Sequence, residues 1–446
     1  MAVRTDFAKD KLNVVIIGGS LAGLMCGIAL KHAGHTVKII ERDDDERQSH
    51  MAGVCLGPDT EAFLQSHDRY SNAFSHRSTR LQLMKSDETV QVLVRGQRLI
   101  TSWDAYYFRL RSLFDGYVSS YYPSPPRPVA TDGLVIYDSN TEVKDMKRSY
   151  GSDAPMLVTT LNRITQDESH IKADLVIGAD GPDSFVRSRY LPHIRRQYVG
   201  YITWRGVVPE EEVSDSTCKM FQRSVTVYMM NKQHVIMYTI PGPDGSLEPG
   251  KRFFNFVWYT NETPETLDRI MTDAIDGHRH HNIVPSGRVR KDVWDARLEE
   301  ARKALLPAPF LEVITKIKLP FIQVITDFCS SRAAFENGHV LLIGDALATY
   351  RPHTAFSATQ SAFHSLLTEE YVQGQIGAQE WEEKAVRYSR LYWSQARFWG
   401  GCYQHSVATA LVSGLYFWMY RGIDVVKAWW YGEKPLFRQN IRATEE

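Results

Sequence analysis

The sequence predicts an α/β fold: a doubly wound, Rossmann-type nucleotide-binding domain, an interleaved antiparallel β-sheet domain, and a C-terminal helical segment. Three observations predict it. Residues 12–42 (LNVVIIGGSLAGLMCGIALKHAGHTVKIIER) read as strand, glycine turn, helix and second strand. Two more short apolar strands, at 173–177 and 339–343, run straight into loops of small and turn-forming residues. From residue 200 to 259 the pattern changes to period-two alternation, which marks a separate antiparallel sheet.

In the first unit, residues 14–17 (VVII) are the β-branched run that a buried parallel strand needs. Gly18-Gly19-Ser20-Leu21-Ala22-Gly23 follows directly, so the free amides of Leu21, Ala22 and Gly23 at a helix start form a pyrophosphate site. Gly18 permits the turn, while Gly23 and Gly27 let the helix sit close to the sheet. Glu41, 18 residues beyond Gly23, ends the second strand where a carboxylate accepts from a ribose hydroxyl. Ser20 stands where the middle glycine of G-x-G-x-x-G normally sits, and its amide still donates.

The acidic run 43–47 reads as a solvated loop, residues 61–64 as helical, and 90–94 as a strand of a different sheet. Ser102 or Asp104 caps a helix reaching about Tyr117. Residues 121–170, rich in Pro, Ser and Asp, read as loops and short edge strands. The strand 173–177 runs into Gly178-Ala179-Asp180-Gly181-Pro182-Asp183-Ser184, with Val186-Arg187 after it. Strands follow at 202–208, 225–230, 235–240 and 253–259, then helical patterns at 265–276 and 293–305, and a last strand of that sheet at 320–325. The strand 339–343 ends on Gly344-Asp345 and a loop holding Arg351-Pro352-His353, with a helix from about Phe356. The domain boundaries that result are 1–85, 101–190 and 327–395 for the nucleotide-binding domain, 86–100 and 191–326 for the sheet domain, and 396–446 for the helical segment.

With 446 residues, 43% hydrophobic and 23% charged, the chain has room for two interlocked globular cores. Basic and acidic residues number 52 each, so no overall field gathers nucleic acid or an anionic membrane, and small-molecule partners are expected. Cys26, Cys55, Cys218, Cys329 and Cys402 are odd in number and lack any C-x-x-C, which argues for reduced, buried thiols and against a disulfide framework or metal site. The opening MAVRTDFAKDKL has charges where a signal peptide needs an apolar core, so a cytoplasmic protein is expected provided nothing near the C-terminus anchors it. Residues 398–420 hold no Asp, Glu, Lys or Arg, but three glycines, Gln404, His405 and several hydroxyls dilute them. An amphipathic or buried helix is therefore favoured there over a membrane contact. A homodimer is compatible with the sequence.

GGSLAG with Glu41, DGPDSFVR at 180–187 and GDALATYRPH at 344–353 resemble, in order and separation, the three motifs of the group A flavoprotein monooxygenases, the para-hydroxybenzoate hydroxylase fold. Tyr201-Ile202-Thr203-Trp204-Arg205-Gly206, Asn255-Phe256-Val257-Trp258-Tyr259 and Arg351-Pro352-His353 are similar to the 2,6-dihydroxypyridine 3-hydroxylase-like subgroup. The resemblance implies that Gly18, Gly19, Ser20, Leu21, Ala22 and Gly23 hold the FAD pyrophosphate, that Glu41 binds the adenosine ribose, and that Arg42 lies over adenine. It implies FAD contacts for Arg109, Asp180, Gly181, Gly344 and Asp345, with Pro352, Thr354 and Ala355 beside the isoalloxazine. Arg187 ends the second motif, either near cofactor or as a surface ion pair bracing its loop. The family usually has glycine at the positions of Ala355 and Ser357 and histidine at that of Ala348.

The implied activity is hydroxylation of an electron-rich aromatic or N-heteroaromatic molecule with NAD(P)H and molecular oxygen, through a flavin C4a-hydroperoxide; the difficult step belongs to the cofactor. Ionisation makes such a ring a better nucleophile, so His353 is the expected base, with Arg205 and Tyr238 as the other catalytic residues. Tyr201, Trp258 and Gln323 complete the expected pocket, with Trp204 and Trp258 alternatively packing residues, since large aromatics contribute burial first. An epoxidase or other oxygen-inserting enzyme on the same fold is the close alternative. A redox-silent dinucleotide or prenyl-protein binding module is the distant one, since a pure adenosine binder has no use for the second and third loops.

Overall fold

The computed structural model describes residues 11–45, 51–148 and 154–438. Most of the charged N-terminal stretch, the end of the acidic run 43–47 and residues 439–446 lie outside the described residues. Asn13–Ile17 forms the middle of a six-stranded sheet, parallel to Thr36–Ile40 on one side and to Leu175–Gly178 on the other. Val340–Leu342 continues the parallel order beyond Leu175–Gly178. The three strands that precede the three glycine-bearing loops are therefore consecutive neighbours pointing one way, and their loops open on one sheet edge.

The helix Leu21–His32 is buried almost throughout, against this sheet and the helices Trp103–Asp115 and Ser357–Val372. Each fully buried Leu or Ile there contributes about 1.5–3 kcal/mol. Small residues set the approach: a Cβ on Gly27 would lie 2.9 Å from the Phe114 ring, and one on Gly23 would overlap the Gly18 carbonyl oxygen. Ser102 is the cap of Trp103–Asp115, its hydroxyl accepting from the Ala105 amide at 3.1 Å.

A ten-stranded sheet holds the alternating segments. Its central strands are Phe321–Cys329, Gln197–Pro209, Phe253–Asn261, Gln233–Ile240 and Ser224–Met230, antiparallel in that order. Ser224–Met230 then lies parallel to His76–Met84, which continues through Val90–Ser102 to Gly53–Leu56. The sheet thus takes up the chain at residue 53, earlier than the expected crossing at 86. Gly53–Leu56 and His76–Met84 are short or mixed in polarity, so nothing in their own pattern separates them from loop.

Residues 121–170 also differ from expectation. Val135–Asp138 joins the parallel sheet, and Thr141–Arg148, Met156–Asn162 and Glu168–Ala173 build a three-stranded antiparallel sheet. Only scattered inward positions such as Met146, Met156 and Val158 are buried, so no apolar run betrays these strands.

Alternation assigns the two faces of the large sheet. Ile202, Trp204 and Val208 pack with Phe254, Phe256 and Trp258 against the helices Lys291–Lys303 and Ala308–Lys316. Trp204 donates to Thr260 Oγ1 at 2.9 Å and Trp258 to Gln233 Oε1 at 3.1 Å. Trp258 is consequently a core residue and not a pocket wall, while Thr203 and Arg205 face the opposite side. All five cysteines are free, and Cys402 is exposed where a buried thiol was expected. Among the described residues no helix is long and apolar enough to cross a membrane.

Candidate active site

A cavity of about 1260 Å³ joins the loop edge of the parallel sheet to the free face of the large sheet. Sites for one small ligand are usually about 300–1,000 Å³, so this one has room for an elongated group and a second molecule. Gly18, Asp180 and Asp345, one from each loop, all line it, as do Thr203, Arg205, Tyr238 and Gln323 from the large sheet and Pro352, His353, Thr354 and Ala355 from the third loop.

In the first loop Ser20, Leu21, Ala22, Glu41 and Arg42 also line the cavity. Gly18 adopts φ +104, and a Cβ there would overlap the Ala179 carbonyl, so only glycine lets the first and second loops touch. Gly19 and Gly23 shape the loop from behind. The Gly19 amide donates to Glu41 at 2.7 Å, and its carbonyl accepts from the Tyr137 hydroxyl at 3.0 Å. Glu41 takes a second backbone bond from the Asp43 amide at 3.0 Å, which fixes the carboxylate at the cavity edge. Ser20 has extended backbone and makes no side-chain cap hydrogen bond.

In the second loop the Asp180 carboxylate accepts from the Ser184 hydroxyl at 2.5 Å and the Val186 amide at 3.2 Å, and burial raises its pKa. Its job is to hold the loop in shape around Gly181. Arg187 is buried, not a surface ion pair. It donates to the carbonyls of Pro182 at 2.5 Å and Ala346 at 3.0 Å and lies over the Phe328 ring, stapling the second loop to the third.

Arg109 is placed elsewhere. Its guanidinium pairs with Asp68 at 2.7 Å, donates to the Asn72 carbonyl at 3.1 Å and packs over Phe74, away from the cavity. A buried charge needs such a partner, and Asp68, which no motif marks, supplies it.

In the third loop Gly344 stays behind the wall, its amide donating to His364 Nδ1 at 3.0 Å. Burial pushes His364 down to about 3, so it is a neutral acceptor. Asp345 is the opposite case. Its Oδ1 is buried with no hydrogen-bond partner among the described residues, and burial lifts the acid from 3.8 to about 6. That is an acceptor built for donors the protein does not supply.

The Ala355 amide is used within the loop, donating to the Pro352 carbonyl at 3.1 Å, and the helix starts at Ser357. Ala355 itself sits in the left-handed region, φ +54 and ψ +39. This is the place where the resembling family has glycine, and a Cβ there costs about 1–2 kcal/mol. Ala355→Gly is expected to stabilise the protein by roughly 0.5–1 kcal/mol after the added flexibility of the unfolded chain is subtracted. Thermal unfolding of the two chains checks it.

At the sheet end, Tyr201 is buried rather than lining the cavity, and its hydroxyl meets His353 Nε2 at 2.8 Å. His353 Nδ1 has no partner among the described residues. Burial, then His234, Arg351 and His405, hold its pKa well below the usual histidine value, so the ring is neutral at physiological pH. Arg205 donates to Gln323 Oε1 at 3.0 Å and has no carboxylate partner among the described residues. Burial raises the Tyr238 phenol, which stays a neutral donor.

Two lining residues escaped the sequence reading. His234 stacks on Tyr259 at 4.2 Å, and burial takes it to about 3. Its alternation with Tyr238 was the available signal. Arg98, near Cys55 and Tyr403, is a second guanidinium on the cavity without an ion pair among the described residues. Among those residues no group of three His, Cys, Asp or Glu side chains is arranged for a metal.

Residues 198–327 match a family model described as FAD binding domain-like. The chain is 28% identical over 400 residues to the 2,6-dihydroxypyridine 3-monooxygenase of Paenarthrobacter nicotinovorans, covering 88% of this chain and 92% of that protein. It is similar to the solved structure of 2,6-dihydroxypyridine-3-hydroxylase from Arthrobacter nicotinovorans, with a TM-score of 0.74, 26% identity, and coverage of 88% and 93%. Klebsiella pneumoniae HpxO, solved with FAD and uric acid, shares the fold at a TM-score of 0.62 and 16% identity, with coverage of 94% and 95%. The residues present fit FAD: a glycine turn packed backbone to backbone at the start of the Leu21–His32 helix, a locked carboxylate for a ribose, and a buried unpartnered Asp345 oxygen for the hydroxyls of a polyol chain.

Proposed function

We propose that this chain, an FAD-dependent monooxygenase with the group A flavoprotein hydroxylase fold, hydroxylates a small N-heteroaromatic or phenolic substrate bound as its oxyanion, with NAD(P)H as reductant. The observation that carries this reading is the Arg205 guanidinium, which has no carboxylate partner among the described residues, on the same cavity as the glycine turn and Asp345. The chemistry that bound FAD supplies is hydride acceptance from NAD(P)H and activation of molecular oxygen.

The chain's own residues prepare the ring. Arg205, held by Gln323, offers a positive charge that lowers the pKa of a substrate hydroxyl and keeps the oxyanion in place. With Tyr201 fixing Nε2, the His353 ring presents Nδ1 to the cavity, where a neutral imidazole accepts from a substrate hydroxyl or ring N–H. Tyr238 donates to a second polar atom of the ring. The apolar walls from Ile236 and Val257 exclude water from the reacting face.

A screen of hydroxypyridines, phenols and other hydroxylated heteroaromatics tests the reading, with NAD(P)H oxidation followed optically and the added oxygen by mass spectrometry. One class is expected to stimulate reductant use and gain one oxygen atom. His353→Ala is expected to stay yellow and turn that substrate over about 10²–10⁴-fold more slowly. A panel that never stimulates reductant use, or a His353→Ala chain with normal turnover, contradicts it.

A further inference from the structure

We propose that the last helix, Val407–Tyr431, is an interfacial anchor that lies flat in the headgroup layer of a lipid bilayer. The helix is inverted relative to one on a water-facing surface. Toward the preceding helix, Ala378–Gln404, it turns Ser413, Gly414, Phe417, Asp424 and Ala428. Asp424 is fully buried, 3.5 Å from Arg387, and accepts from the Phe437 amide at 3.1 Å. Outward it presents Leu411, Leu415, Trp418, Val426, Trp429 and Trp430, with Trp429 78% and Leu415 73% exposed. With Val407, Tyr416, Ile423 and Val425, which are also exposed, these positions spread over about half of the circumference at 3.6 residues per turn.

That breadth favours lipid over a second copy of the chain. A helix seam between proteins uses a narrow stripe, roughly two positions in seven, and carries a polar rim. Here the outward arc from Val407 to Tyr420 holds no charge at all. Trp and Tyr, enriched on it, are the side chains that settle at a membrane–water boundary. Arg421 sits at the edge of the arc, over the Trp418 ring at 5.0 Å and without a carboxylate partner among the described residues, where a lipid phosphate would meet it. The helix also lies on a bilayer and does not cross it, because Arg421, Asp424 and Lys427 interrupt it and it is not apolar enough to span.

The anchored hairpin carries part of the cavity. Phe398, which stacks on Phe417 and fits against Gly414, precedes Trp399, a cavity-lining residue that is itself partly exposed. Docking the last helix therefore fixes that wall of the cavity beside the lipid.

Flotation of the full-length, FAD-loaded protein with vesicles of phosphatidylcholine, with and without phosphatidylserine, tests the proposal and does not depend on any substrate. The protein is expected to float with both, more with the anionic lipid, and its tryptophan emission to shift to the blue. None of the residues changed in the triple variant Leu415→Gln, Trp418→Gln, Trp429→Gln lines the cavity, and the variant is expected to keep its flavin spectrum while partitioning about tenfold less or lower still. Unaltered protein that stays in the lipid-free fraction overturns the anchor. So does a lipid-free dimer, seen by light scattering, that the triple variant splits without any flotation by the parent, since the face is then a contact between two copies.

Discussion

Arg205→Met is expected to leave a folded, yellow protein whose kcat/KM for its aromatic substrate falls by about a hundredfold, equivalent to about 3 kcal/mol of lost transition-state stabilisation. The side chain keeps its volume against Phe321, so the loss reports the charge. Its pH dependence separates an oxyanion partner from a packing residue. Below the substrate's own hydroxyl pKa the parent enzyme still binds the ionised ring, because Arg205 lowers that pKa in the site. The variant does not, so its deficit in kcat is expected to be widest at low pH and to narrow as the bound substrate ionises by itself, while the deficit in kcat/KM stays about constant. Arg205→Lys restores the charge but not the planar fork that donates to Gln323 while facing the ligand, and partial recovery is expected. Measurement of kcat and kcat/KM against pH for the three chains checks this. A kcat deficit that is the same at every pH, or a kcat/KM deficit that is equal for substrates with no ionisable hydroxyl, removes the oxyanion role.

Asp345→Asn is expected to stabilise the flavin-free protein and weaken its hold on FAD. Burial raises the carboxyl from 3.8 to about 6 in the folded chain. Below both values the acid is protonated in either state and costs nothing. Between them the unfolded chain ionises first, so stability falls as pH rises, and above about 6 the cost is constant, at most about 3 kcal/mol. The amide removes that cost, so the melting temperature of the flavin-free variant is expected to exceed the parent's at pH 7 to 8, and not at pH 4. The same change removes the charged acceptor at Oδ1, and FAD affinity is expected to fall about 10- to 100-fold. In the parent, affinity is expected to weaken as pH drops through about 6. Calorimetry of flavin-free protein and titration of flavin fluorescence measure the two effects. A variant that is no more stable at pH 7, or that binds FAD as well as the parent, shows that Asp345 is satisfied within the protein.

The residues legible in the sequence are those whose chemistry is local. Gly18 and Gly23 are dictated by backbone that meets backbone, and Asp180 by hydrogen bonds to its own next six residues. Arg109 shows the reverse. Its helix and its N-cap were readable, but its partner Asp68 lies 41 residues away and carries no motif, so only packing revealed that its charge is spent there. His364 was invisible for the same reason, since it takes the Gly344 amide from another element, while His234 showed only as an alternation with Tyr238. Residues 141–173 were unreadable because strands with scattered inward apolar positions look like loop.

By itself the sequence determined the order of strands and turns, the three glycine-bearing loops, and a first unit of strand, glycine turn, helix and strand, because periodicity and backbone sterics act over a few residues at a time. Only the tertiary structure decided which face of the large sheet looks into the cavity, which charges there lack partners, and that the final helix turns its apolar side outward. Those properties depend on what stands opposite a side chain, and a linear pattern carries no record of its neighbours across space.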